Sequence, residues 1–218
     1  MAGAATLFGL GVTALALLAA CARAAALPDP DAPEPRAAPV AAVTLPSDYA
    51  EALQRWRRAE DLNAWIGAVF EYDSRRAIEL SETQRARLGR IEVHPPAAFF
   101  ANPAGVCVDL ARFAVETLRS IAPASRPRYL MIEFDPVTIS GNVLRRHWLV
   151  VFERENRFYF LADSRRPGHL AGPYATIAQF VDEYAQYRGR RIVAWRSLES
   201  HERKLRQQAP KALREERA

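Results

Sequence analysis

The sequence predicts an α+β domain, expected over residues 47–198, in which helices come first and a mostly antiparallel sheet follows. Two observations indicate this class. Apolar residues recur at helical spacing up to about residue 121. From residue 129 onward, four segments are instead rich in aromatic and β-branched residues, which favour strands. Helices followed by neighbouring strands are typical of α+β domains rather than of alternating α/β domains.

Apolar periodicity predicts two helices at the start of the domain. The first has Ser47 as a candidate N-cap, and its apolar positions at helical spacing are Tyr49, Leu53 and Trp56. The second follows Asp61 and has a wide apolar stripe, formed by Leu62, Trp65, Ile66, Val69 and Phe70. Both stripes are expected to face the core.

Two more helices are predicted before the strands. Ser81 and Gln84 have the spacing of a capping box, which begins a short polar helix. The turn-forming stretches HPP at residues 94–96 and NPAG at residues 102–105 are expected to bracket a loop. A longer helix is predicted over Cys107–Ile121, because its apolar residues line one face and a proline follows shortly after its end.

The second half of the domain is expected to supply the sheet. The predicted strands are Tyr129–Phe134, Val143–Glu153, Arg157–Ala162 and Arg191–Trp195. Asn156 lies between the second and third of these and predicts a hairpin turn. A further helix is expected over Thr176–Tyr187, with Gly189 as its C-cap. The charged tail, residues 199–218, is expected to be a solvated helix or disordered.

The composition of the 218-residue chain excludes several classes of protein. Half of the residues are hydrophobic, which is enough to bury a core and excludes global disorder. Two cysteines are too few for a disulfide-stapled or cysteine-rich zinc module. The net charge of +5 comes from 30 basic against 25 acidic residues that are spread along the chain. We therefore expect no nucleic-acid partner, and the short basic run at residues 188–191 is interpreted as a solvated turn.

The N-terminal residues predict an export signal rather than part of the fold. Residues 5–20 form an uncharged, mostly apolar run that is shorter than the roughly 20 residues of a membrane-spanning helix. Residues 1–20 are therefore interpreted as a signal peptide. The run leads into LAAC at residues 18–21, which resembles a bacterial lipobox and implies that Cys21 is lipidated. The first ten residues contain no Lys or Arg, and an ordinary signal cleaved near residues 22–26 is the alternative.

Residues 21–46 are expected to form a tether between this signal and the domain. Ala and Pro fill 15 of the 25 positions from 22 to 46, and proline at this density favours extended polyproline II. These segments predict a protein of the bacterial cell envelope that faces the periplasm and is held to the membrane by a lipid. With an ordinary signal the protein would instead be secreted.

Cys107 is the candidate nucleophile of the domain, because it is the cysteine that remains once Cys21 is removed or lipidated. It begins a predicted helix, where free N–H groups and the helix dipole stabilise a thiolate. A lowered thiol pKa makes the sulfur nucleophilic at neutral pH. The alternative is a buried, inert cysteine of the core.

A thiolate nucleophile needs an imidazole partner, and that partner needs a group that orients it. His147 lies in the second predicted strand, on the same face as Leu149 and Val151. A hairpin turn at Asn156 brings Asp163 within one residue of the position opposite His147, where a carboxylate can fix the imidazole tautomer. Taken singly, His147 could be a core histidine and Asp163 a turn cap.

These residues resemble those of a known family. The stretch GVCVDLA at residues 105–111, followed by His147-Trp148 and then Asp163, resembles the transglutaminase-like branch of the papain-like superfamily. The cysteine and histidine are 40 residues apart, the histidine and aspartate 16, and these intervals suit that branch. The stretch FEYD at residues 70–73 is also similar to the segment that follows the family's first helix.

The resemblance implies a fold and a reaction. It implies a papain-like core in which the nucleophile helix packs on an antiparallel sheet. It also implies a triad with Cys107 as nucleophile, His147 as general base and acid, and Asp163 as the orienting residue. Attack on a peptide or carboxamide carbonyl then forms a thioester, which goes to water in a hydrolase or to an amine in an acyl transferase.

The tetrahedral intermediate of this reaction needs hydrogen-bond donors for its oxyanion. The backbone N–H of Cys107 is expected to be one donor, because it lies at the start of a helix. The family often places an aromatic donor upstream of the cysteine, which makes Tyr72 the candidate for the second donor. A tyrosine of the core is an equal interpretation of Tyr72, and Gln84 is a further candidate.

The sequence therefore predicts an envelope-tethered cysteine hydrolase or acyl transferase whose partners are a peptide or protein substrate and the membrane. We expect no cofactor and no metal, because the four histidines are scattered along the chain. The alternative from a different class is a non-catalytic domain of the same fold that binds peptides or envelope polymers.

Overall fold

The computed structural model describes residues 32–34, 45–162 and 165–202. The predicted signal peptide, Cys21, most of the expected tether and the tail from residue 203 lie outside the described residues, and so does Asp163. Within the described ranges, no helix has both the length and the apolar character needed to cross a membrane.

Seven α-helices are present in the described ranges, and most of them precede the sheet. They are α1 Tyr49–Arg55, α2 Ala59–Val69, α3 Ser74–Glu79, α4 Glu82–Leu88, α5 Pro96–Ala101, α6 Cys107–Ile121 and α7 Ile177–Arg188. The prediction for α6 is confirmed at both ends, and Ser81 is confirmed as the N-cap of α4. For α1, however, the N-cap is Asp48 rather than Ser47, because the Asp48 side chain accepts a hydrogen bond from Glu51 N.

Two helices differ from the sequence prediction because of their first turns. Helix α2 begins before Asp61, whose carboxylate instead accepts hydrogen bonds from the backbone N–H groups of Arg57 and Arg58. Helix α5 occupies the segment that was expected to be a loop. Pro96 lies in its first turn, where a missing N–H costs nothing, so the prolines that indicate a loop here begin a helix.

Seven strands form two sheets in the described part of the chain. The short strands β1 Glu71–Tyr72 and β2 Ala104–Gly105 pair in parallel. The main sheet has the order β6-β5-β4-β3-β7 and is antiparallel throughout, with the strands β3 Arg128–Ile139, β4 Asn142–Arg154, β5 Arg157–Leu161, β6 Ala171–Tyr174 and β7 Ile192–Leu198. The fold is therefore mixed α+β with a five-stranded antiparallel sheet.

The predicted hairpin between β4 and β5 is confirmed. Arg154 pairs with Arg157, so the turn consists of Glu155 and Asn156, both with positive φ as a tight two-residue hairpin requires. Further along the strands, Val150 pairs with Leu161. This register is the one that the sequence predicts from a turn centred between residues 155 and 156.

The main sheet packs helices on both of its faces. One face, which we call the α6 face, carries Trp148, Val150 and Phe152 in a core shared with α2, α5 and α6. The other, the α7 face, carries Leu149 and Val151 in a smaller core with α7. Successive residues of β4 therefore lie in different cores, as strand geometry requires.

Candidate functional site

An open cleft lies between α4, the start of α6 and the first half of β4. Its volume is about 500 Å³, which includes the solvent at its mouth. The lining residues with chemistry to offer are Tyr72, Glu82, Arg85, Cys107, Arg146 and Trp148. The cleft therefore contains the predicted nucleophile and the predicted oxyanion donor.

A buried ion pair holds the loop that precedes Cys107. Asp109 is fully buried in the first turn of α6, and its carboxylate accepts a hydrogen bond from the Val106 N–H at 3.1 Å. The Arg76 guanidinium donates to both carboxylate oxygens, with Nε–Oδ2 2.6 Å and Nη2–Oδ1 2.8 Å. A Cβ at Gly105 would lie 3.0 Å from the Asp109 side chain, so the absence of a side chain at this position eases the close approach. The contacts of Asp109 with Arg76 and Val106 thus fix the position of the Cys107 thiol.

The short parallel pair of strands brings Tyr72 to the same cleft. Tyr72 is in register with Gly105, and the Gly105 carbonyl accepts a hydrogen bond from Asp73 N at 2.9 Å. Tyr72 therefore lies beside the chain two residues before Cys107. The structure brings these two predicted residues together, whereas Gln84 donates its amide N–H to Asn142 at 2.9 Å and serves as a structural contact.

Cys107 is half-buried and forms no disulfide within the described residues. It is the first residue of a 15-residue helix, whose N-terminal N–H groups and dipole favour a negative charge on the sulfur. The half-buried Arg85 guanidinium lines the same cleft. The cleft is therefore an electrostatic environment that favours a thiolate.

His147 is not among the described residues that line this cleft, and its expected pairing with Cys107 stays a prediction. The histidine is 1% exposed, and its ring stacks on that of Tyr184 in α7 at a centroid distance of 5.9 Å. Burial, aided by the positive charges of Arg188 and Arg190, lowers the pKa of His147 well below its ordinary value. The histidine occupies the α7 face as a neutral core residue.

The reason is the alternation of side chains along β4. His147 shares a face with Leu149 and Val151, as the sequence predicts, but that face packs on α7. The residues of β4 that line the cleft include Arg146 and Trp148, which flank His147 on either side. A difference of one residue along the strand thus places the imidazole on the face of β4 opposite that of Arg146 and Trp148.

Asp163 lies outside the described residues, so its expected role as the orienting residue stays a prediction. Strand β5 ends at Leu161, two residues before it. Cys21 and the proposed lipid anchor also lie outside the described ranges.

Two cations of the cleft, Arg85 and Arg146, were not predicted from the sequence. Arg146 forms ion pairs with Glu133 at 3.3 Å and with Glu82 at 3.4 Å. Burial lowers the pKa of Arg85, and the charge of Arg146 lowers it further, while Glu82 and Cys107 act in the opposite direction. The sequence did contain one signal for Arg146. It lies two positions from Trp148 in the same strand, so the two residues share the face opposite His147.

No group of three or more His, Cys, Asp or Glu side chains in the described part of the chain could hold a metal ion.

Comparison with protein-family models found no match, and comparison with the curated proteins found none either. Among solved structures, the chain is similar to calcium-bound LapG from Legionella pneumophila, with 16% identity and a TM-score of 0.34. The match covers 63% of this chain and 62% of LapG, so the chain spans less than two thirds of that protein's length. A TM-score of this size does not establish a shared fold, and the site is interpreted from its own geometry.

Proposed function

We propose that this chain is a cysteine-dependent hydrolase or acyl transferase that acts on peptide or carboxamide bonds, with Cys107 as the nucleophile. The observation that carries the proposal is the position of Cys107. It begins a long helix and lines an open cleft that also contains a guanidinium group. These features favour a thiolate that a substrate can reach.

The reaction begins when the Cys107 thiolate attacks the carbonyl carbon and forms a C–S bond. The resulting oxyanion accepts hydrogen bonds from the Cys107 backbone N–H and from Tyr72, our proposed side-chain donor. The C–N bond then breaks, and the amine leaves with a proton from water in the open cleft. A water molecule or a second amine attacks the thioester, which returns the thiolate and releases a proton.

This mechanism assigns no catalytic role to His147, because the histidine lies on the α7 face. A thiolate that is already formed needs no base for its attack, which is the step for which the histidine was expected. The protein would act in the cell envelope, held by a lipid on Cys21, and its substrate would be a peptide or protein. The apolar N-terminal run and the LAAC stretch at residues 18–21 support this location.

A second candidate function is a non-catalytic domain that binds peptides or envelope polymers in the same cleft. The placement of His147 favours it, because the described residues that line the cleft include no imidazole to move protons during turnover. In this case Cys107 would be part of a binding surface.

Labelling with an electrophilic acyl probe separates the two functions. Wild-type protein is treated with an activated ester, and the modified peptide is identified by mass spectrometry before and after water or an added amine competes for the acyl group. We expect the label on Cys107, turnover to a free acid or amide, and loss of both in Cys107→Ala. Acylation no faster than that of the unfolded chain, together with ligand binding that survives Cys107→Ala, would support the binding domain instead.

A further inference from the structure

We propose that the cleft selects ligands that carry a carboxylate within a few bonds of the reacting carbon, and that Arg85 binds this carboxylate. This inference rests on the proposed function in one respect only, the assignment of the ligand as a substrate. The ligand class is an acidic peptide or a similar acyl compound.

The charges that line the cleft are unbalanced. Among the described residues, Arg85, Arg145 and Arg146 line it together with one carboxylate, that of Glu82. The Glu82 carboxylate forms an ion pair with Arg146 at 3.4 Å. Arg146 receives a second carboxylate from Glu133 at 3.3 Å, so the charge of Arg146 is compensated within the protein.

Arg85 differs from Arg146 in this respect. Within the described ranges, no carboxylate forms an ion pair or hydrogen bond with Arg85, and its interactions with Arg146, Glu82 and Cys107 are electrostatic and at longer range. The guanidinium is nevertheless half-buried. Partial burial of a cation without a paired anion is unfavourable, and a carboxylate ligand would relieve it through charge-assisted hydrogen bonds.

Helix α4 is anchored so that Arg85 stays over the cleft. The Ser81 and Gln84 side chains both donate hydrogen bonds to Asn142 Oδ1, at 3.3 Å and 2.9 Å. The Thr83 hydroxyl accepts a hydrogen bond from Val143 N at 3.0 Å. These contacts join the first turn of α4 to the start of β4, so the cation has a preset position and little backbone ordering is needed when a ligand binds.

The position of Arg85 also indicates which atoms of the ligand come near the sulfur. Arg85 lines the same cleft as Cys107, close enough for their charges to interact. A carboxylate held by Arg85 therefore keeps the neighbouring carbon atoms of the ligand close to the nucleophile. Arginine suits this role better than lysine, because its planar guanidinium binds both carboxylate oxygens.

Two alkylating agents test the anion site without any need for enzymatic turnover. Iodoacetate carries a carboxylate and iodoacetamide a neutral amide, and in both cases the thiolate forms a C–S bond as iodide leaves. The measured quantity is the ratio of the two alkylation rates at Cys107, followed by mass spectrometry. We expect the iodoacetate-to-iodoacetamide ratio to be about tenfold higher in the folded protein than in the urea-unfolded chain.

Three variants assign the effect to one residue. Arg85→Gln should return the ratio to that of the unfolded chain, and Arg85→Lys should keep part of the preference. Arg87→Gln is the matched control, because Arg87 is exposed on the same helix, and it should leave the ratio unchanged. Equal ratios in folded and unfolded protein would overturn the anion site, as would an Arg85→Gln variant that keeps the full preference. Circular dichroism of each variant verifies that it is folded.

A second pair of probes separates this inference from the proposed function. Mono-p-nitrophenyl succinate carries a carboxylate, and p-nitrophenyl succinamate carries an amide in its place. Faster acylation of Cys107 by the succinate, lost in Arg85→Gln, would support both proposals. Equal acylation by the two esters would overturn the carboxylate preference and leave the enzyme intact. An elevated alkylation ratio without acylation by either ester would retain the anion site and contradict the enzyme.

Discussion

The two faces of strand β4 place neighbouring residues in opposite environments. On the α6 face, Arg146 and Trp148 line an open cleft with the thiol of Cys107. On the α7 face, His147 is packed in a closed aromatic core in which the rings of Phe160 and Phe180 stack at 3.7 Å. The register of a single strand therefore decides whether a histidine lies beside a nucleophile or is buried in a core as a neutral residue.

The largest effect is expected from the ion pair that positions the α6 face. Replacing the buried Asp109 with alanine leaves the Arg76 charge without its carboxylate and removes the cap of the Cys107 loop. We expect a loss of about 3–5 kcal/mol in the free energy of unfolding, measured by urea denaturation. Asp135→Ala is the matched control, because its pair with Arg191 has similar geometry but is exposed, and its loss should be about 1 kcal/mol or less. Similar losses in the two variants would contradict a positioning role for the buried pair.

An intermediate effect is expected from pH on the α7 face. The pKa of His147 in the folded protein lies well below its ordinary value of 6.5. At a pH between the folded-state pKa and 6.5, the unfolded chain therefore binds a proton that the folded protein does not. The free energy of unfolding should therefore fall as the pH drops below 6.5, by up to about 1.4 kcal/mol per pH unit from this residue. Urea denaturation at pH 7.5 and pH 5 measures the change.

Substitution assigns that pH dependence to a residue. His147→Gln should remove most of it, and His201→Gln a smaller part, because burial also lowers the pKa of His201. Equal pH dependence in wild-type protein and His147→Gln would show that His147 is not the buried neutral group.

The smallest effect is expected on the reactivity of Cys107 when His147 is replaced. Because His147 and Cys107 lie on opposite sides of the sheet, His147→Gln should change the rate of iodoacetamide alkylation at Cys107 by less than about twofold, once the variant is shown to be folded. The pH profile of alkylation should likewise keep its midpoint. A shift of that midpoint by one pH unit or more, which corresponds to about 1.4 kcal/mol between the two protonation states, would place the imidazole beside the thiol.

Much of the local structure could be predicted from the sequence because its causes are local. Helix α6, the N-cap at Ser81, the turn at Asn156 and the C-cap at Gly189 all follow from residues within a few positions of one another. Helix α5 was missed because proline favours both a loop and a first helical turn, and neighbouring residues alone do not decide between them.

The candidate site could be predicted only in part. Cys107 and Tyr72 line one cleft, and the sequence analysis named both, Cys107 from its position at a helix start and Tyr72 from the family resemblance. Arg76 was missed because its partner Asp109 is 33 positions away in the chain. Arg85 reaches the cleft only because α4 is anchored to β4 by residues about 60 positions away.

The helix that begins at Cys107 and the residues that share a face with His147 follow from the order of the amino acids alone. Both follow from the periods of the two regular structures, 3.6 residues in a helix and two in a strand. The face of the sheet that receives α6 and the face that receives α7 are set by long-range packing in the folded chain. A period of two divides a strand into two faces, but it contains no information on the helix that covers each face. That choice depends on how the connections cross the sheet and how the apolar side chains pack, and it placed Arg146 rather than His147 beside the thiol.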